Sequence, residues 1–125
     1  RLRGQAYYWN AWTEEPSLRI TINLLDKIRD EVRRISARFF LVAIPSPAEM
    51  QQLENGDAYT MASLIREYGK RRDIPTIILS DHFKGRDYCK YFGPERKCDD
   101  KHLSELGARL TAEVVANFMR KRGYP

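Results

Sequence analysis

The chain has 125 residues, which is the size of one domain with one core but small for a complete α/β hydrolase. Its 22 basic and 17 acidic side chains give a net charge of +5, yet the excess is spread over several segments. No aromatic side chains interleave with arginines as single-strand recognition requires, so we expect no nucleic-acid partner. No apolar run is long enough to predict a membrane span.

The chain begins with Arg1 and not with methionine, so we interpret it as a piece of a longer protein. Residues 1–16 show no helical or strand period and predict an irregular, aromatic-rich lead-in. The aromatic side chains are Tyr7, Tyr8, Trp9 and Trp12. Such side chains either pack in a core, here against a preceding portion of the domain, or line an acyl or sugar subsite.

From Ser17, a predicted N-cap, apolar residues recur at steps of three and four and predict an amphipathic helix of about twenty residues. Its predicted inner face consists of Leu18, Ile22, Leu25, Ile28, Val32 and Ile35. A short apolar run follows at residues 39–44 and ends at Pro45. Such a run is typical of a buried parallel strand.

Ser46, Pro47 and Glu49 combine a capping-box spacing with proline at the first helical position, and they predict the start of a short helix. The Asn-Gly pair at 55–56 ends it. A second helix is predicted over residues 58–72. Its predicted inner face consists of Met61, Leu64, Ile65 and Tyr68.

Residues 74–79 predict a second buried strand, with Pro75 near its start, where a missing amide donor is tolerated. Strand, helix and strand at this spacing predict a βαβ unit whose strands are parallel neighbours. In open α/β sheets the site lies beyond the carboxyl ends of the strands, and here residues 80–101 lead from such an end to His102. Two strands alone leave unpaired edges, so we expect further strands from elsewhere.

Ser104 is a predicted N-cap for a helix over residues 104–120, which places His102 in the turn just before it. The helix has an apolar face formed by Leu106, Leu110, Val114 and Phe118. Asp99 precedes His102 by three residues. A carboxylate that accepts from one ring nitrogen fixes the tautomer and leaves the other nitrogen free to take a proton from a hydroxyl nucleophile. Asp100 is the alternative orienting acid if the turn is shifted by one residue.

Residues 99–104, together with Gly107 and the helix after it, resemble the last sequence block of the SGNH (GDSL-type) hydrolases. The resemblance implies a three-layer α/β/α domain with a parallel, flavodoxin-like sheet, of which residues 1–125 form the C-terminal part. It also implies that Asp99 and His102 are catalytic. The implied activity is that of a serine esterase or acylhydrolase acting on a small-molecule or carbohydrate ester, with no cofactor and no metal.

The Gly-Asp-Ser and Gly-x-Asn-Asp blocks of that family do not occur in these residues, and Gly-Asp-Ala at 56–58 is interpreted as coincidence. The nucleophilic serine and the oxyanion donors are therefore expected upstream, and this piece alone is expected to be inactive. The alternative interpretation is a non-catalytic α/β interaction module derived from a hydrolase-like fold.

Cys89 and Cys98 either form a disulfide that holds the loop before His102 or remain two free thiols. A disulfide would indicate a secreted or periplasmic protein. Asp81 and His82 follow the second strand, and we interpret them as a helix-capping aspartate and a surface histidine. A metal site built from the two histidines and nearby aspartates is the less favoured interpretation.

Overall fold

The computed structural model describes residues 15–57, 60–98 and 100–124. Its regular elements, in chain order, are α1 (Pro16–Arg34), β1 (Leu41–Ala43), α2 (Pro47–Glu54), α3 (Met61–Arg72), β2 (Thr76–Ile78), α4 (Ser80–Phe83), a 3₁₀ helix (Tyr88–Tyr91) and α5 (Glu105–Lys121). The fold class is mixed α/β, as predicted. Nearly all of the aromatic lead-in lies outside the described residues.

The two strands are parallel neighbours, with Val42 opposite Ile77, which confirms the predicted βαβ unit. Both strands are shorter than the apolar runs that encode them, because only three residues of each have a partner on the other. Leu41 and Ala43 hydrogen-bond toward β2, through Pro75 O and Leu79 N. Alternate residues of a parallel strand bond to the same neighbour, so the amide and carbonyl of Val42 face the other edge of β1.

The first helix begins earlier than the sequence indicated. The carboxylate of Glu15 accepts the Leu18 amide at 3.1 Å, and Pro16 occupies the first turn. Ser17 is therefore a first-turn residue, and its assignment as N-cap was wrong. Glu15 is the cap because its carboxylate accepts a free amide of the first turn. Its negative charge is also stabilised by the positive end of the helix dipole.

The next two helices are joined at their starts by one carboxylate. Ser46 caps α2 as predicted, accepting the Glu49 amide at 3.2 Å. Glu49 does not close the capping box, because its side chain accepts the Ala62 amide of α3 at 2.6 Å instead. The third helix begins at Met61 and not at residue 58, because Thr60 and Ser63 form a reciprocal capping box there.

One packed group, the helix cluster, holds α1 and α3 together beside the sheet. Its buried members are Ile22, Leu64, Tyr68 and Ile74, and the partly buried Leu18, Leu25, Phe39 and Leu41 pack around them. A polar network closes its rim: the Tyr68 hydroxyl donates to Asp26 at 2.8 Å, and Arg72 pairs with the same carboxylate at 3.0 Å. Burial, and then the hydrogen bond to Asp26, raise the pKa of Tyr68 to about 12.

Three predicted inner-face residues are exposed: Ile28 by 50%, Ile35 by 64% and Met61 by 51%. At about 100° per residue, Ile28 lies about 120° and Ile35 about 140° around the helix axis from Ile22, so spacing alone misassigned them. They belong to a second apolar face of α1, here called the α1 strip, which consists of Ile20, Leu24, Ile28 and Ile35.

A second packed group, the loop cluster, lies beyond the carboxyl ends of the strands. Its buried members are Met50, Phe83, Tyr91 and Phe92, and Leu53, Tyr88, Cys98, Leu103, Leu106 and Leu110 pack around them. The Phe83 ring stacks on Tyr91 at 4.6 Å between centroids and meets Phe92 edge-on at 5.8 Å. Met50 lies in α2, which follows β1, and Phe83 lies in α4, which follows β2. The loop cluster therefore joins the segments that leave both strands.

The end of α5 is tied to the segment before β1. Phe40 packs against Phe118 at 5.1 Å and against Tyr124 at 5.7 Å between ring centroids. The Arg38 guanidinium donates to the Gly123 carbonyl at 3.2 Å and lies over the Tyr124 ring at 4.8 Å. A side chain from a distant part of the sequence thus binds a carbonyl just beyond the end of α5.

Candidate active site

The backbone from the His102 carbonyl to Ser104 is held by the loop cluster. Leu103 forms a β-bridge with Phe92, and the Gly93 amide donates to the His102 carbonyl at 2.9 Å. The Ser104 amide donates to the Tyr91 carbonyl at 2.8 Å. Since Phe92 and Tyr91 are buried, the main chain of His102 is fixed to a packed support.

Ser104 starts α5, as predicted, and its hydroxyl is fully used in doing so. It accepts the Gly107 amide at 3.1 Å and donates to the Lys90 carbonyl at 2.7 Å. Gly107 brings α5 close to the 3₁₀ helix: a Cβ at this position would lie 2.2 Å from the Tyr91 carbonyl oxygen. The serine nearest in sequence to His102 is therefore a helix cap and not a nucleophile.

Cys89 and Cys98 form a disulfide, with their Cα atoms 4.7 Å apart. This resolves the choice between a bridge and two free thiols. Cys89 belongs to the 3₁₀ helix, and Cys98 packs at the edge of the loop cluster. The bridge thus closes the loop that leads into the candidate site.

His102 has a carboxylate partner, and in the described residues that partner is Asp100. The ring nitrogen Nδ1 lies 2.6 Å from Asp100 Oδ1, and the His102 amide donates to the same oxygen at 2.9 Å. The amide and then the ring of His102 lower the pKa of the Asp100 carboxyl group. Asp99, the acid that the family resemblance indicates, lies outside the described residues, so its predicted role stays a prediction.

The His102 side chain is open to solvent, with 77% of its surface exposed, against 42% for Asp100. Because Nδ1 is taken by the carboxylate, Nε2 is the nitrogen left to exchange a proton with a substrate or nucleophile. No hydroxyl among the described residues hydrogen-bonds to this ring. Ser80, at the carboxyl end of β2, is only 2% exposed and offers no surface for an incoming ester. The pair is therefore a base and its orienting acid without a nucleophile among these residues.

The second histidine lies elsewhere. His82 is on the surface, as predicted, but Asp81 does not cap α4. Instead its two carboxylate oxygens accept from Arg66 at 2.9 and 3.0 Å, because a guanidinium fork matches a carboxylate better than a single amide does. Within the three described ranges, no group of three or more His, Cys, Asp or Glu side chains is arranged to hold a metal ion.

The aromatic anchors of the site were not singled out from the sequence. Phe83, Tyr91 and Phe92 support the backbone of His102, yet they follow no helical or strand period. The available signal was their density in a short segment that also contains a cysteine.

Comparison with protein-family models, with curated proteins and with solved structures finds no match for this chain. In the part of the chain that the structure describes, no helix has the length and apolar character needed to cross a membrane.

Proposed function

We propose that this chain is the C-terminal part of a serine esterase or acylhydrolase of the SGNH type, with His102 as its general base. The supporting observation is the 2.6 Å contact between His102 Nδ1 and the Asp100 carboxylate. This pair stands on a packed loop at the carboxyl end of a parallel sheet, where α/β proteins place their sites.

In the proposed reaction, the nucleophilic serine belongs to a part of the protein that precedes Arg1. Its hydroxyl attacks the ester carbonyl while Nε2 of His102 accepts the hydroxyl proton. The carboxylate on Nδ1 stabilises the imidazolium that forms, and His102 then returns the proton to the leaving alcohol. A water molecule, activated by the same nitrogen, releases the acid. Amide donors for the oxyanion come with the serine.

Replacing His102 with alanine in the intact protein is the decisive experiment. Without the base, kcat for ester hydrolysis is expected to fall by about four to six orders of magnitude, while substrate binding changes little. His82→Ala is the matched control, because it removes the other histidine from an exposed position. Near-normal hydrolysis by the His102 variant would contradict the proposal.

The identity of the orienting acid is tested by a pair of adjacent substitutions. The contact distance favours Asp100. We therefore expect Asp100→Asn to lower kcat by about 10⁴, because a neutral amide supports the wrong histidine tautomer. Asp99→Asn should have a much smaller effect. The reverse order would assign the role to Asp99, as the family resemblance does.

A non-catalytic interaction module is the second candidate, and the exposed α1 strip favours it. A fluorophosphonate probe separates the two candidates, since it labels only an activated serine. Labelling of the intact protein that disappears in His102→Ala supports the hydrolase. Absence of labelling in the wild type supports the interaction module.

The disulfide is the basis for a proposed location in an oxidising compartment, either outside the cell or in a periplasm. Alkylation of native protein without prior reduction tests this. We expect no alkylation of Cys89 or Cys98 before reduction and two alkylated thiols after it. Two reactive thiols in freshly isolated protein would argue against such a compartment.

A further inference from the structure

The two members of the candidate pair are attached to the fold in different ways. His102 is followed directly by the Leu103 bridge to Phe92, and its own carbonyl is held by Gly93. Asp100 precedes it, and the strongest hydrogen bonds at its carboxylate come from the amide and ring of His102 itself. The base is therefore held by the loop cluster, whereas the acid depends on the segment before it.

That segment is fixed by the disulfide. Cys98 lies two residues before Asp100 and is bonded to Cys89. Cys89 belongs to the 3₁₀ helix, whose last residue, Tyr91, stacks on Phe83 in the loop cluster. Only a few residues and the disulfide therefore separate the buried Tyr91 from Asp100 along the covalent structure.

The backbone at Cys98 also depends on a restraint. Its φ is 59°, and that of Arg96 is 60°, so two residues without glycine's freedom occupy the left-handed region within the same loop. For such residues this region is disfavoured by about 1 kcal/mol or more. Opening the disulfide removes one restraint on Cys98, and a rotation of its φ toward negative values would redirect the chain that carries Asp100.

We propose that the Cys89–Cys98 disulfide positions the acid of the candidate pair, so that its reduction releases Asp100 from His102 while His102 stays on the loop cluster. A dithiol reductant supplies two electrons and two protons, the sulfur–sulfur bond breaks into two thiols, and the dithiol becomes a cyclic disulfide. The catalytic part of this inference rests on the proposed function. If that function holds, the disulfide makes the activity of the site depend on redox conditions.

The test follows the Asp100 carboxyl group directly, by ¹³C NMR of the intact protein labelled at aspartate Cγ. In the oxidised protein, its pKa is expected below the ordinary value; after reduction with dithiothreitol, it should rise toward that value. Asp26 is the internal control, because its lowered pKa arises in the helix cluster, far from the disulfide in the sequence. The double variant C89S/C98S should reproduce the reduced state without reductant and show no response to dithiothreitol.

Nuclear Overhauser contacts between Phe92 and Leu103 report whether the support of His102 survives. We expect these contacts to persist while those between Asp100 and His102 disappear. An Asp100 titration that is the same in both redox states overturns the proposal. Loss of the Phe92 to Leu103 contacts on reduction also overturns it, because the disulfide would then hold the whole loop and not the acid.

A kinetic arm separates this inference from the proposed function. Reduction should lower kcat for ester hydrolysis by about 100-fold, as misplaced catalytic groups do, with KM within about twofold and full recovery on reoxidation. A redox-independent kcat overturns the positioning role in an active enzyme. Redox-dependent NMR contacts in a protein that hydrolyses no ester support the positioning role and count against the proposed function alone.

Discussion

The helix cluster and the loop cluster each bury four large side chains, but they are assembled in different ways. The helix cluster takes most of its residues from two regular helices at helical spacing. The loop cluster takes its buried side chains from two short helices, the 3₁₀ helix and the bridge residue Phe92, and residues of α5 pack around them. A polar network closes the first, and a disulfide closes the second. The candidate catalytic pair stands on the second, where irregular backbone can aim a side chain outward.

The largest expected loss of unfolding free energy comes from truncating a buried side chain in each cluster. Phe92→Ala should cost about 4 kcal/mol of unfolding free energy, because it removes a fully buried ring and the support of the Leu103 bridge. Leu64→Ala in the helix cluster should cost about 3 kcal/mol and leave the contact between Asp100 and His102 intact. Urea unfolding and the NMR contacts of His102 measure both effects.

A Phe92 variant that kept the Asp100 to His102 contact would show that the loop cluster does not support the site. A Leu64 variant that lost this contact would show that the two clusters are not separable.

A smaller loss of unfolding free energy is expected from adding one methyl group at each of two glycines that lie close to neighbouring atoms. At Gly69, an added Cβ would lie 2.1 Å from the Thr76 hydroxyl oxygen and 2.9 Å from the Ile74 carbonyl oxygen. Gly69→Ala should therefore cost about 2 kcal/mol, and Thr76→Ala should restore part of it. Gly107→Ala meets the main chain of Tyr91, so its cost of about 3 kcal/mol should resist side-chain truncation.

Thermal unfolding of the single and double variants measures the cost of each glycine substitution and how much of it a second substitution restores. Equal rescue at both glycines would contradict the view that the main chain makes the close approach at Gly107, whereas the Thr76 side chain makes the closest approach at Gly69.

The smallest expected effect is a pH dependence confined to the helix cluster. Burial opposes ionisation of Asp26, but hydrogen bonds from Arg72 and Tyr68 lower its pKa. Its contribution to the free energy of unfolding is therefore present above the pKa of the unfolded state. That contribution is lost as the pH falls through the pKa of the folded state. The pKa of Tyr68 is raised from 10.0 to about 12, so its contribution is complete below pH 10 and lost as the pH rises toward 12.

Tyr68→Phe should cost about 1 kcal/mol at neutral pH, remove the alkaline loss and reduce the acid loss. The matched change is Tyr91→Phe. Among the described residues the Tyr91 hydroxyl accepts from Arg86, at 3.3 Å, and its removal should cost less. Unfolding free energies measured across the pH range provide the comparison. An unchanged alkaline limb in the Tyr68 variant would assign that dependence to another group.

The sequence predicted the regular part of the molecule well, because caps and periods are local signals. The Ser104 cap, the start of α2 and the parallel pairing of the strands are confirmed. The prediction that Ile28 and Ile35 lie on the inner face was wrong, because a step of three or four residues does not fix which side of a helix packs against a partner. Whether the sheet extends to a three-layer domain stays a prediction.

For the candidate site, the sequence offers one histidine and two possible orienting acids but does not select between them. Two adjacent aspartates precede His102, and a turn has no period that selects between them. The structure places Asp100 on the ring, through a contact that depends on the fold of the preceding loop. The buried aromatic members of the loop cluster follow no periodic pattern, because they come from short segments without regular spacing, whereas its Leu106 and Leu110 lie on the apolar face predicted for α5.

The contacts of Arg38 with Gly123 and Tyr124 make these two residues part of the packed fold. Removing the Tyr124 ring should therefore loosen this contact from both sides, since Phe40 loses an aromatic neighbour and Arg38 loses the ring beneath it.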